Sequence, residues 1–135
     1  MNLNSKSKTA LKPEDINRIS ALGLAHVGDA VYELLVRSWL CGIEPGRVAD
    51  IHARTVEYVN ANAQAAAAEK ILPALTEQEY AVFKRGRNAK VNSVPHHSTI
   101  ADYHSATGLE TLFGWLYLKG EDERIEELFQ KCTGD

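Results

Sequence analysis

The sequence of 135 residues lacks several features that mark common classes of protein. It has only two cysteines, Cys41 and Cys132, which lie far apart and in no spacing typical of a metal site, so we expect reduced, structural thiols. No uninterrupted apolar run approaches about 18 residues, the length of a membrane-spanning helix, and the first residues lack the apolar core of a signal peptide. We therefore expect a cytoplasmic protein.

Positive charge is also scarce. The chain has 15 Lys and Arg residues against 18 Asp and Glu residues, which gives a formal net charge of -3. This balance argues against binding of nucleic acid through bulk positive charge. Any polyanionic partner would need a local basic patch.

Apolar residues recur at helical spacing through almost the whole chain, and no short stretch alternates clearly enough to form a strand. We predict one all-α domain, residues 13–135, after a flexible lead-in of residues 1–12. The predicted helices are a short one at Pro13, one over 21–40 that stops at Gly42, a continuous one over 45–72, a capped one over 76–86, one over 99–118 that closes at Gly120, and a last one over 122–132.

The second predicted helix carries a glycine and a carboxylate side by side at its centre, Gly28 and Asp29. At about 3.6 residues per turn, a polar stripe consists of His26, Asp29, Glu33 and Arg37. The apolar side consists of Leu24, Val27, Val31, Leu34 and Leu35. Gly28 costs helix stability, about 1 kcal/mol relative to Ala, but allows another helix or a ligand to approach closely.

The helix predicted over 99–118 repeats this arrangement, with Glu110 and Gly114 on one face. If the two helices cross at Gly28 and Gly114, axes about 8 to 10 Å apart would bring Asp29 and Glu110 together. Two such carboxylates repel unless a proton or a cation lies between them, and Mg²⁺ suits hard oxygen ligands of this kind. The alternative is an ordinary ion pair for each acid, for example Asp29 with Arg37.

A basic cluster supplies the local positive charge that the composition lacks. It consists of Lys84, Arg85, Arg87 and Lys90, with Asn88 between them. We predict that most of it lies in a connection over residues 85–97 and contacts RNA phosphates or 2′-hydroxyls. A merely solvated loop is the alternative.

Two adjacent histidines, His96 and His97, follow this cluster and, with Asp102, raise the possibility of a metal-dependent phosphohydrolase of another class. Adjacent histidines point in different directions on most backbones, and no His-Asp dyad follows. We therefore favour the carboxylate pair as the candidate metal site.

Two motifs carry a resemblance to a known family. HVGDAVYELLVR resembles the signature helix of the ribonuclease III catalytic domain, and GLETLFGWLYL resembles its second catalytic helix. GDAVYE, VNANAQA, FKRGRNAK and ETLFGWLYL, in this order, are similar to the short Mini-ribonuclease III branch, which lacks the double-stranded-RNA-binding domain. The resemblance implies a ribonuclease III endonuclease-domain-like helical bundle.

The resemblance also implies a homodimeric, Mg²⁺-dependent endonuclease that cuts double-stranded RNA, with precursor large-subunit (23S) ribosomal RNA as its substrate. Asp29 matches the catalytic Asp of the family and Glu110 its catalytic Glu, and the expected products carry 5′-phosphate and 3′-hydroxyl ends. Full-length members have two further acids, at the positions of Ala25 and Thr107 here. His26 matches an aromatic residue of the family's dimer contact.

We expect Asp29 and Glu110 to hold the metal and Glu33, one turn beyond Asp29, to orient a water molecule there. In this hypothesis the basic cluster supplies phosphate contacts, because no separate RNA-binding domain is present. Two alternatives use the same fold class: a catalytically silent RNA-binding module, and a dimerisation domain that binds no nucleic acid. The second leaves the basic cluster unexplained.

Overall fold

The computed structural model describes residues 11–43, 46–90 and 98–134. Its helices are α1 (Pro13–Asn17), α2 (Ala21–Ile43), α3 (Val48–Tyr58), α4 (Ala61–Ile71), α5 (Glu77–Arg87), α6 (Ile100–Leu118) and α7 (Asp122–Thr133), with a short 3₁₀ turn at Leu72–Ala74. None of these residues forms a strand, so the predicted all-α class is confirmed. In the same ranges, no helix is long and apolar enough to cross a membrane. Residues 1–10 of the predicted lead-in lie outside the description.

Helix α6 forms the centre of the bundle. Residues 106–116 of this helix are buried, with the exception of Glu110, and the helix packs against α2, α5 and α4. The largest fully buried side chains around it include Leu24, Phe83, Leu109, Phe113 and Leu128. Helix α7 also contacts α6, so a side chain on α6 can meet side chains from several parts of the sequence.

Helices α2 and α6 cross with their backbones in direct contact. A Cβ atom on Gly28 would overlap the carbonyl oxygen of Glu110 and lie 2.9 Å from the backbone nitrogen of Gly114. A Cβ atom on Gly114 would overlap the carbonyl oxygen of Leu24. The predicted crossing at the two glycines is therefore confirmed, and only glycine fits at either position.

A second glycine contact joins α5 to α6, and it corrects the predicted end of α5. A Cβ atom on Gly86 would overlap the Thr111 hydroxyl and lie 3.0 Å from the carbonyl oxygen of Thr107. Gly86 thus permits close helix packing and does not end the helix, which continues to Arg87. Arg85 and Arg87 are consequently helical, which makes their placement in a loop wrong.

The continuous helix predicted over 45–72 is also wrong, because Asn60 divides it into α3 and α4. The Asn60 Oδ1 atom accepts a hydrogen bond from the backbone nitrogen of Ala63, at 2.9 Å. Its Nδ2 atom donates to the carbonyl oxygens of Val56, at 2.9 Å, and Glu57, at 3.2 Å. One side chain therefore caps the end of α3 and the start of α4, satisfying backbone groups that both helix ends leave free.

The buried face of α2 is rotated relative to the predicted one. Leu34, predicted to be in the core, is 41% exposed, whereas Ala25 and Tyr32 are buried. The rotation follows from the Gly28 contact, which turns the helix so that this glycine faces α6. Helix α2 also continues through Gly42 to Ile43, past its predicted end.

The N-terminus of α5 is tied to α7 by a half-buried ion pair. Arg124 donates to both carboxylate oxygens of Glu79, each at 2.8 Å, and to the carbonyl oxygen of Ala74 at 2.8 Å. This arrangement lowers the pKa of Glu79, which also completes the predicted capping box with Thr76. The bidentate geometry fixes α7 against the rest of the bundle.

The glycine crossing generates a stability prediction with a matched control in the same helix. We expect Gly28→Ala to lower the free energy of unfolding by about 3 kcal/mol or more, because the added methyl group overlaps backbone atoms that cannot rotate away. Gly42→Ala should be neutral or stabilise by up to about 1 kcal/mol, since a Cβ atom there meets nothing within 4 Å. Urea unfolding followed by circular dichroism measures both, and equal effects would contradict the crossing.

Candidate active site

The glycine crossing places two carboxyl groups from different helices side by side. Asp29 follows Gly28 on α2 and is exposed, whereas Glu110 is half-buried on α6, one turn before Gly114. The two side chains are close enough for the charge of Asp29, and hydrogen bonding with it, to raise the pKa of Glu110. The predicted proximity of the two acids is confirmed, while their chemical roles remain predictions.

The surroundings of Glu110 favour its protonated form. Burial is the largest cause that raises its pKa, to about 8, and the negative charge of Asp29 adds to the effect. Hydrogen bonding to Asp29 acts in the same direction, as expected when a neutral carboxylic acid donates to a carboxylate. Without a cation, Glu110 therefore keeps a proton around neutral pH.

A third side chain reaches this pair from α4. The Gln64 side-chain nitrogen donates to Oε2 of Glu110 at 3.3 Å, and Gln64 is only 4% exposed. This hydrogen bond favours the ionised form of Glu110 and so opposes the rise in its pKa. Sequence reasoning assigns no role to Gln64, because it lies in an alanine-rich stretch. The contact of that stretch with α6 depends on the helix break at Asn60.

The donor set fits a hard divalent cation that keeps most of its water. Mg²⁺ is typically bound through one or two carboxylates, with water or substrate oxygens in its other positions. The positions of the two further acids of full-length family members hold Ala25 and Thr107, which are both buried. Over the described parts of the chain, no group of three or more His, Cys, Asp or Glu residues could hold a metal ion. Among the described residues, Asp29 and Glu110 are the carboxylates that would hold such an ion.

Glu33 and His26 lie on the same helix as Asp29. Glu33 forms an ion pair with Arg37 one turn later, at a solvent-accessible position. Arg37 thus neutralises Glu33, in contrast to the alternative in which it pairs with Asp29. His26 is exposed on the helix surface, and the roles of both residues remain predictions.

The basic cluster lies at the C-terminal end of α5. Lys84, Arg85, Asn88 and Lys90 are exposed, and Arg87 is half-buried with its guanidinium 5.9 Å from the centre of the Phe83 ring. Three of these cations stand in the last helical turn, where positive charge also stabilises the helix dipole. His96 and His97, the alternative metal ligands, lie outside the described residues.

The comparisons with known proteins agree with this architecture. A family model described as "Ribonuclease III domain" matches residues 22–121. The chain is 48% identical over 112 residues to a Mini-ribonuclease 3 of Symbiobacterium thermophilum, covering 83% of this chain and 86% of that protein. A Mini-ribonuclease 3 of Clostridium tetani is 42% identical over 118 residues, covering 87% of this chain and 78% of that protein.

A solved structure gives the same result for the fold. The crystal structure of a protein from Fusobacterium nucleatum superimposes with a TM-score of 0.79 at 30% sequence identity. The alignment covers 86% of this chain and 93% of that chain. Together with the glycine crossing and its paired carboxyl groups, these similarities show that the chain belongs to the ribonuclease III family, in the branch of the Mini-ribonuclease 3 proteins.

Proposed function

We propose that this chain is a cytoplasmic, homodimeric, Mg²⁺-dependent endoribonuclease that cuts double-stranded RNA, with precursor large-subunit (23S) ribosomal RNA as its substrate. The observation that carries the proposal is the contact between Asp29 and Glu110 at a glycine crossing. A structural role alone does not account for two adjacent acids, because burial beside Asp29 disfavours the ionised form of Glu110. The names of the curated relatives support the ribonuclease activity.

A divalent cation between Asp29 and Glu110 would stabilise the ionised forms of both carboxyl groups. Ribonuclease III enzymes depend on a divalent metal ion. Asp29 and Glu110 would hold Mg²⁺, which when bound supplies the positive charge that polarises a phosphodiester and activates water. The exposed position of Asp29 leaves this site open to a phosphate group on the surface of an RNA duplex.

The reaction is hydrolysis of a phosphodiester bond, and residues of this chain position the attacking water and the two RNA strands. Water attacks phosphorus in line with the departing 3′ oxygen and gives up a proton as the new P–O bond forms. The bond between phosphorus and the 3′ oxygen breaks, and that oxygen takes up a proton from solvent. The products carry 5′-phosphate and 3′-hydroxyl ends. Glu33, one turn from Asp29, orients the attacking water, and a two-fold dimer presents one site to each antiparallel RNA strand.

The activity test compares wild type with Asp29→Asn and Glu110→Gln on a purified, end-labelled RNA duplex. We expect Mg²⁺-dependent cutting by wild type and a loss of at least about 100-fold in both variants, because each removes one of two anions at the site. RNA binding should persist in both variants. Glu126→Gln, an exposed change on α7, is the control for loss of one carboxylate.

The alternatives give different results in the same assay. Salt-sensitive RNA binding without cleavage by wild type, in the presence of Mg²⁺, would favour the silent RNA-binding module. Absence of both binding and cleavage would favour the dimerisation domain. Cleavage that persists in a chelator would contradict the role given to the metal.

The protonation of Glu110 generates a pH prediction for the metal-free protein. Its pKa rises from 4.5 to about 8 on folding, so the native state keeps a proton that the unfolded state loses. The stability of wild type relative to Glu110→Gln should therefore fall as pH rises from about 4.5 to about 8, by up to about 5 kcal/mol. Chemical unfolding at a series of pH values measures this difference, and parallel profiles would contradict it.

The basic cluster generates a prediction for RNA affinity. We expect the triple variant Lys84→Ala, Arg85→Ala, Lys90→Ala to weaken duplex binding and to reduce the slope of log affinity against log salt by about 3, since each phosphate contact contributes about 0.9. A control with the same change in net charge substitutes three exposed residues elsewhere: Arg18 just after α1, Arg47 just before α3, and Lys131 on α7. Equal losses in the two triple variants would assign the effect to overall charge and not to this cluster.

A further inference from the structure

Gln64 is a polar residue in a part of α4 that is otherwise apolar. The buried residues of α4 are Gln64, Ala65, Ala67, Ala68 and Ile71. Small alanine side chains allow α4 to lie close against α6, and Gln64 is the member of this set that carries hydrogen-bonding groups. Its long side chain ends at Glu110, 46 residues further along the chain.

Burial of an amide is unfavourable unless the amide finds a partner. An unpaired buried amide costs roughly 1 to 3 kcal/mol, whereas alanine at this position would have no such requirement. The hydrogen bond to Oε2 of Glu110 meets this requirement for the Gln64 nitrogen. Packing therefore does not explain a glutamine here, but its contact with Glu110 does.

We infer that Gln64 is a positioning residue of the site, which holds the Glu110 carboxyl group against Asp29 through its side-chain amide. This inference rests on the proposed function and adds a third helix to the site. Asp29 on α2 lies to one side of Glu110, and Gln64 on α4 binds one of its oxygens.

Fixing Glu110 matters because its side chain has three rotatable bonds. Rotation about these bonds would let a free carboxyl group leave its place beside Asp29, and a second partner on Oε2 opposes that movement. Partners that orient a metal ligand in this way typically contribute about 10- to 100-fold to metal affinity or activity. The amide suits the task because it donates to ionised Glu110 and can accept from the protonated acid.

The test uses Gln64→Met, which keeps the length of the side chain and removes the amide, and Gln64→Asn, which keeps the amide and shortens its reach. Thr55→Val is the matched control, because it removes a buried hydroxyl that bonds only within its own helix, to the carbonyl oxygen of Ile51 at 2.9 Å. Mg²⁺ titration of each full-length protein without RNA, followed by amide NMR signals of α2 and α6, gives the dissociation constant. Cleavage kinetics at saturating Mg²⁺ give kcat and KM.

We expect both Gln64 variants to bind Mg²⁺ at least about 10-fold more weakly, with kcat reduced and KM for RNA little changed, while Thr55→Val retains wild-type values. If one variant fails to fold, the other decides the result. Wild-type Mg²⁺ affinity in a folded Gln64 variant would overturn the inference and leave the proposed function intact. If wild type binds Mg²⁺ but cuts no RNA, and the variants bind Mg²⁺ more weakly, the inference is supported and the proposed function is overturned. If wild type binds no Mg²⁺, both are overturned.

Discussion

The backbone contact between α2 and α6 is the constraint on which the site depends. At Gly28 and Gly114 the two helices touch through main-chain atoms, so their separation is as small as the backbones allow. A main-chain contact has none of the rotational freedom of a side-chain contact, and the register of one helix on the other is therefore tightly defined. The relative positions of Asp29 and Glu110 are therefore tightly defined as well, because each residue lies within one turn of a contacting glycine.

The close approach also sets the electrostatic character of the site. Helices held apart by larger side chains would allow water between the two acids, and their repulsion would be weak. Here burial and proximity together raise the pKa of Glu110 to about 8. Ionisation of Glu110 consequently opposes folding at this site, which is common where a protein prepares a surface for an ion or a substrate.

Structural features that are marked by neighbouring residues in the sequence could be predicted. Features that depend on contacts between distant parts of the chain could not. The glycine beside each acid indicated the crossing, and the capping box indicated the start of α5. Gly86 was misread as a helix end because a glycine gives the same signal when it accommodates a neighbouring helix. Leu34 was wrongly predicted to be in the core, because the helical period shows which residues share a face but not which face packs against α6. Gln64 was missed because its partner lies far away in sequence.

Asn60 links local chain geometry to the site. It caps both α3 and α4, and Gln64 follows it by little more than one helical turn. Each added residue rotates the rest of a helix by about 100°. An insertion or deletion between these two positions would therefore turn the amide away from Glu110, whereas the same length change before Asn60 would leave the rotation of α4 intact. Tolerance to insertions and deletions should thus change abruptly at this one asparagine.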